Sequence, residues 1–185
     1  MNDSGYPSWV HLLDDVTGIV MVAVAIAAIL ELGFDIIIAL EIFSLGLLLT
    51  GITWLVWGIY VMKTNTYARA FMIFTGVLLV IFSLIDLIFL SLPADFLIIF
   101  PAIGMMLIGL SRIVLGVIVG DIPLWIQMLQ VLAGILTLNL AAFVFIFSNV
   151  GFEILLIFLL ISMIANGLVR VIIGRSEVPK KCVES

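Results

Sequence analysis

The chain has 185 residues, of which 65% are hydrophobic and only 10% are charged, and its mean hydropathy is +1.47. A soluble domain is closer to half apolar and a quarter charged, and a chain of this length has too little interior to hide such an apolar excess from water. The composition therefore indicates an integral membrane protein, and the net charge of −5 gives no argument for nucleic-acid binding.

Six apolar segments are long enough to cross a bilayer, for which a helix needs about 20 residues. The first predicted span begins directly after the acidic residues Asp14 and Asp15. The predicted spans are 16–32, 36–61, 68–92, 96–119, 124–148 and 152–173. The connections after the first, third and fifth spans are short, which is typical of antiparallel hairpins. The predicted fold is all-α: one membrane domain, residues 1–185, with six transmembrane helices.

The basic residues predict the orientation of the chain. All seven fall on one side of the predicted membrane: Lys63, Arg69, Arg112, Arg170, Arg175, Lys180 and Lys181. The loops on the other side carry only acids: Glu31, Asp35, Asp95 and Glu153. Because basic residues concentrate in cytoplasmic loops, we expect both termini to be cytoplasmic in a multi-pass protein of the cell membrane.

An eight-residue phrase recurs every 58 residues: GITWLVWG at 51–58, GLSRIVLG at 109–116 and GLVRVIIG at 167–174. Glycines of the odd-numbered spans follow the same period. The chain is therefore predicted to be three tandem two-helix hairpins, with repeats at about 1–62, 63–120 and 121–185. Small residues allow close helix packing in lipid, so we assign helix-packing roles to Gly18, Gly51, Gly58, Gly76, Gly109, Gly116, Gly134, Gly167 and Gly174.

Two arginines interrupt the recurring phrase. Arg112 and Arg170 occupy the position at which the first copy has Trp54. We interpret both as interfacial basic residues, since a long side chain near the membrane surface reaches water and phosphates. A buried ion pair or an anion site is the alternative.

Three hairpins, each ending in the pattern G-[LI]-x-[RW]-[ILV]-[IV]-x-G, resemble the HdeD-like membrane proteins over about residues 9 to 174. The resemblance implies a small six-span protein of the cytoplasmic membrane with a role in stress response and acid resistance. It implies no catalytic residues.

Two acids lie inside the predicted spans and break the 58-residue period. Glu41 and Asp86 are each some 8–10 Å below the non-cytoplasmic surface, at about 1.5 Å per residue. A charge within the bilayer is costly, so each is expected to face the bundle or to bind a proton. They are candidate proton-titrating residues, and we hypothesise that they approach each other between spans two and three. The alternative is a pair of hydrogen-bonded acids at the membrane edge.

Catalytic signatures are not found: the sequence has no G-x-S-x-G, H-E-x-x-H, phosphate-binding loop or dinucleotide fingerprint. It has one cysteine, Cys182, and one histidine, His11. We predict a non-enzymatic protein with a role in stress or acid tolerance and with no cofactor or metal. The alternative is a small channel or transporter for protons or ions, lined by Glu41 and Asp86. The expected partner is the lipid bilayer, not nucleic acid; a homo-oligomer is left open.

Overall fold

The computed structural model describes residues 8–61, 66–89, 93–118, 123–147 and 151–175. These ranges are helical and contain no strands. The helices are α1 (Ser8–Leu32), α2 (Ile36–Val56) with a π-helical turn after it (Trp57–Val61), α3 (Thr66–Ile88), α4 (Ala94–Leu97), α5 (Ile99–Ile118), α6 (Leu124–Ile146) and α7 (Phe152–Arg175). All but the short α4 are long and apolar enough to cross a membrane. The all-helical class and the six apolar segments are therefore confirmed.

The largest differences from the predicted spans are at the first and fourth segments. Helix α1 begins at Ser8, so Asp14 and Asp15 lie inside it rather than before it. The fourth segment is divided by a turn at Ile98 into α4 and α5. Pro101 then falls in the first turn of α5, where the missing proline N–H breaks no helical hydrogen bond.

The short turn between α1 and α2 is fixed by a helix cap. The Asp35 side chain accepts hydrogen bonds from the backbone N–H groups of Ile37 and Ile38 at 2.8 and 3.3 Å. These donors have no partner within the helix, so the cap stabilises the start of α2. At the start of α7, Gly151 has a φ of 104°, a conformation that residues with a Cβ rarely adopt.

The six long helices form a closed ring. Each packs on the next along the chain, with α3 followed by α5, and α7 returns to pack on α1. Helices α2, α5 and α7 also contact one another across the centre. In the most apolar stretch of each of these three helices half or more of the residues are buried, against a third or fewer in α1, α3 and α6. We therefore call α2, α5 and α7 the inner helices.

Each inner helix meets an outer helix at a pair of facing glycines. The pairs are Gly51 with Gly76, Gly109 with Gly134, and Gly167 with Gly18. A Cβ placed on any of these six would lie 2.6–3.1 Å from the carbonyl oxygen of the facing glycine. Two helix backbones are in direct contact at each pair, and only glycine permits this approach.

Large apolar side chains cover the outside of the ring. Every long helix exposes several of them; Leu30, Val117 and Ile146 are 66%, 70% and 72% exposed. Monomeric soluble proteins rarely expose apolar surface this continuously. The exterior is suited to contact with lipid.

Candidate functional site

The inner helices bring three residues spaced 58 apart to the interior of the ring. They are Trp54 on α2, Arg112 on α5 and Arg170 on α7, and their exposed fractions are 3%, 4% and 7%. The guanidinium carbon of Arg170 lies 5.7 Å from the centre of the Trp54 ring. A cation at this distance over an indole face is attracted to it.

Arg170 forms an ion pair with Asp14 on α1. Its Nη1 donates to Asp14 Oδ1 at 2.9 Å, and each side chain is 9% exposed. The facing glycines Gly18 and Gly167 bring the two side chains close together. Asp14 lies one turn before Gly18 on α1, and Arg170 lies three residues after Gly167 on α7. The indole of Trp57 also lies beside the Asp14 carboxylate.

No carboxylate among the described residues forms an ion pair with Arg112. Its Nη2 donates to the backbone oxygen of Asn166 at 2.9 Å, and its Nε has no hydrogen-bond partner. Arg112 lies within electrostatic range of both Arg170 and Asp14. Two buried guanidinium groups therefore share one carboxylate. We call Asp14, Arg112 and Arg170 the charged cluster.

A polar stripe extends from the charged cluster along α7. Ser162, Asn166 and Arg170 follow one another at a spacing of four, which places them on one face of the helix. Asn166 Nδ2 donates to the Ser162 backbone oxygen and to Thr137 Oγ1 on α6, each at 2.7 Å. The stripe is about 12 Å long at 1.5 Å per residue. Ser162 Oγ and Asn166 Oδ1 are buried without a hydrogen-bond partner.

Arg112 and Arg170 are both buried inside the protein, while their interfacial depth in a membrane stays a prediction. Both side chains point into the bundle, and Arg170 adopts the buried ion pair that the sequence left as the alternative. Sequence reasoning treated Asp14 as a boundary acid and missed its role. The one indication in the sequence was the spacing of Asp14 from Gly18. Asp14 precedes Gly18 by the same number of residues as Gln130 precedes Gly134, so both are polar residues at one position of the repeat.

The second polar group is the side chain of Asp86 on α3. Asp86 is 1% exposed, and Ser44 Oγ on α2 donates to its Oδ2 at 3.1 Å, while Oδ1 has no hydrogen-bond partner. Glu41, the other candidate titrating residue, is half-buried. No hydrogen bond joins Glu41 to Asp86 among the described residues. Glu41 lies three positions before Ser44 on α2, so these two residues are neighbours on that helix.

Hydroxyl pairs recur at the interfaces. Thr17 pairs with Thr53 at 3.2 Å, and Thr75 pairs with Ser111 at 2.7 Å. In each pair the two residues are 36 positions apart in the sequence, and a shift of 58 positions converts the first pair into the second. At the third set of positions the residues are Ala133 and Val169, both buried.

The remaining polar positions in the described ranges do not form a further cluster of side chains. Asn139 is exposed and donates to the Ile135 backbone oxygen of its own helix at 2.8 Å. An open cavity of about 240 Å³ lies at the starts of α2 and α7, with Glu153 as its one charged lining residue. In the described ranges, no group of three or more His, Cys, Asp or Glu side chains is placed to hold a metal ion.

Comparison with known proteins gave no match among family models, curated proteins or solved structures. The resemblance to the HdeD-like proteins therefore stays a prediction from the layout of the repeats and the spacing of their glycines.

Proposed function

We propose that the chain is a multi-pass protein of the cytoplasmic membrane with both termini in the cytoplasm. Six apolar helices and an apolar exterior support insertion. The distribution of charge supports the orientation. Arg69 and Arg175 are exposed at the ends of helices on one side of the bundle, and the exposed acids Asp35 and Glu153 lie at helix starts on the other.

The proposed architecture is a triplicated hairpin around an axis along the membrane normal. A shift of 58 positions carries the Gly51–Gly76 contact onto Gly109–Gly134. A second shift carries Gly109 onto Gly167, whose partner Gly18 lies in the first copy because the ring closes. Each copy has two spans and enters the membrane in the same sense, unlike the inverted repeats of many transporters.

Labelling with a membrane-impermeant thiol reagent in intact cells tests the orientation. The single native cysteine is removed by Cys182→Ser, and Phe34→Cys places a probe at a turn position that is 89% exposed. We expect Phe34→Cys to be labelled from outside. Asn65→Cys, in the loop between spans two and three and outside the described residues, should be labelled only after lysis. Labelling at position 65 in intact cells would contradict the orientation.

We propose a non-enzymatic role in stress or acid tolerance, in which the protein responds to protons at Asp86. The observation that carries the proposal is the burial of this carboxyl against a single hydroxyl donor, Ser44. An apolar interior disfavours a charged carboxylate, so the charge of Asp86 is coupled to the packing around it. Asp86 lies on α3, and α3 contacts α2 backbone to backbone at Gly51 and Gly76, so a change at the acid acts on a tightly packed helix pair.

Survival of cells after an acid shock tests this role. Cells that lack the protein are compared with cells that express the wild-type chain, Asp86→Asn or Glu153→Gln. We expect wild type and Glu153→Gln to protect, because Glu153 is an exposed acid in the first turn of α7. Asp86→Asn keeps the shape and hydrogen-bonding capacity but cannot ionise, so its protection should be lost. Equal protection by all three chains, at equal membrane abundance, would exclude Asp86 as the responsive group.

A proton or ion channel or transporter is the second candidate function. It is favoured by the succession of Glu41, Ser44 and Asp86, which offers oxygen atoms at neighbouring positions from a half-buried site to a buried one. Flux into proteoliposomes distinguishes the two candidates. A pathway through these residues requires flux by wild type that is reduced in Glu41→Gln and in Asp86→Asn. Acid protection without measurable flux would favour the first candidate.

A further inference from the structure

We propose that the interior of the bundle binds one small monovalent anion, chloride being the simplest, on the guanidinium groups of Arg112 and Arg170. The site lies at the charged cluster and is separate from Asp86. It does not depend on the role in acid tolerance.

The first argument is the balance of charge. The buried charged residues in the described part of the chain are Asp14, Asp86, Arg112 and Arg170. Asp14 neutralises one of the two arginines through its 2.9 Å contact with Arg170. Among these described residues one positive charge then remains at the cluster, and a buried charge without a counter-charge is strongly unfavourable. A single bound anion balances it.

Asp86 is too far away to provide this balance. It is hydrogen-bonded to Ser44, whereas the cluster is beside Trp54 on the same helix. Ser44 and Trp54 are ten positions apart on α2, which corresponds to about 15 Å along the helix axis. Asp15 is engaged with Arg175 at 3.2 Å, where the arginine is largely exposed.

The second argument is the set of buried hydrogen-bonding atoms without partners. The Nε atoms of Arg112 and Arg170 are both buried and unpaired, and Ser162 Oγ on the polar stripe is a further unpaired atom that can donate. Guanidinium N–H groups can only donate, so they select an acceptor such as an anion. The great majority of buried polar groups are hydrogen-bonded, so two unpaired guanidinium N–H groups beside one excess positive charge indicate an acceptor ligand.

The surroundings limit the size and charge of that ligand. Arg112 is 4% exposed, and Ile108, one turn before it on α5, is 1% exposed. Trp54 forms a further wall beside Arg170. Because these side chains are closely covered, a lipid headgroup or a nucleotide would displace far more of the packing between the inner helices than a halide. One excess positive charge matches one negative charge, so a monovalent ion fits better than a phosphate dianion.

Thermal unfolding of the purified protein in detergent tests the site. The melting temperature is measured in sodium chloride and in sodium gluconate at equal ionic strength, since gluconate is too large for the interior. A ligand that binds only the folded state raises the melting temperature with its concentration. We expect a saturable rise with chloride for wild type. Arg175→Gln, which removes an exposed arginine, should retain it, and Arg112→Met should lose it because the excess charge is gone.

Fluorescence provides a second readout that requires no change in stability. Bromide, which quenches indole fluorescence, should quench part of the tryptophan emission with saturation. Trp54→Phe should lose this saturable part while keeping linear quenching of the other tryptophans. Arg112→Met should raise the half-saturating bromide concentration at least tenfold. If wild type melts at the same temperature in both salts and shows only linear quenching, or if Arg112→Met behaves like wild type, the site does not exist.

Discussion

The carboxylate of Asp14 on the first helix lies 2.9 Å from the guanidinium group of Arg170 on the last, although 156 positions separate them. The contact is buried, and it lies next to the facing glycines Gly18 and Gly167. The same two helices are joined again where His11 Nδ1 contacts the Gly174 backbone oxygen at 3.0 Å. The ion pair therefore lies at the closure of the ring, where the start of the chain meets its end.

Breaking this pair from one side should destabilise the protein strongly. Asp14→Leu leaves Arg112 and Arg170 buried without a counter-charge, and Arg170→Leu removes the hydrogen-bonded partner of Asp14. Removal of one partner of a buried pair costs about 3–5 kcal/mol. We expect each single variant to lose stability on this scale, and the double variant to lose much less than the sum. Unfolding by SDS in mixed micelles gives the three free energies.

The pair Asp15–Arg175 is the matched control, because it joins the same two helices at the surface. Arg175 is 65% exposed in this pair. Exposed ion pairs contribute about 0–1 kcal/mol. Arg175→Gln should therefore change the unfolding free energy little. Similar losses for Arg175→Gln and Arg170→Leu would show that burial of the pair is unimportant.

Alanine at a facing glycine should be enough to disturb the helix packing. A Cβ on Gly109 would lie 2.8 Å from the Gly134 oxygen and 2.9 Å from the Leu138 nitrogen. Both are backbone atoms, which cannot rotate out of the way. Overpacking in an interior costs about 1–3 kcal/mol, and we expect Gly109→Ala to lose this amount of unfolding free energy.

Gly33→Ala is the control for this substitution. A Cβ at position 33 would have its nearest neighbour, the Leu30 oxygen, at 3.9 Å. The variant should unfold like wild type under the same conditions. If Gly109→Ala also unfolds like wild type, the backbones of α5 and α6 are not in contact at Gly109 and Gly134.

The glycine period predicted which residues pack but not which pairs face one another. Gly51 and Gly76 belong to different predicted repeats, and so do Gly109 and Gly134. A hairpin repeat suggests contact within each copy, yet the facing glycines join one copy to the next. A linear sequence does not show that the last helix returns to the first, because ring closure depends on packing angles that accumulate over the whole bundle.

The charged cluster could be predicted only in part for a related reason. Arg112 and Arg170 were identified by their shared position in the repeat, and a buried ion pair was one of two interpretations. The depth of an arginine is ambiguous in sequence, since the same side chain can reach the surface or turn inward. In the structure Arg170 pairs with Asp14, which lies near the opposite end of the chain and therefore could not be identified as its partner from the sequence. Ser44 was missed because a serine in an apolar span carries no charge signal.

The hydroxyl pair Thr75–Ser111 should contribute modestly to the contact between α3 and α5. The two oxygens are 2.7 Å apart and buried. Hydrogen bonds between membrane helices average about 0.6 kcal/mol, with a maximum of about 1.7 kcal/mol. A double-mutant cycle with Thr75→Val and Ser111→Ala should give a coupling energy in this range. A coupling energy of zero would mean that the pair makes no net contribution.

The interface that lacks a hydroxyl pair offers a test of the proposed triplication. Ala133 and Val169 occupy the positions that hold Thr17 and Thr53 in the first set, and both are buried. We predict that Ala133→Thr and Val169→Thr together restore a pair of this kind. Thr53 also donates to the Leu49 backbone oxygen at 2.9 Å, so a threonine on an inner helix can satisfy its own donor.

Each single substitution should lower the unfolding free energy, because it places a buried hydroxyl oxygen against an apolar side chain of the facing helix. The double variant should recover part of that loss, with a favourable coupling of about 0.6 kcal/mol. Ala133→Thr combined with Ser162→Ala, a substitution elsewhere on α7, is the control and should show simple additivity. If the two threonines are no more coupled than this control, positions 133 and 169 do not face each other as 17 and 53 do. The three interfaces would then not be equivalent.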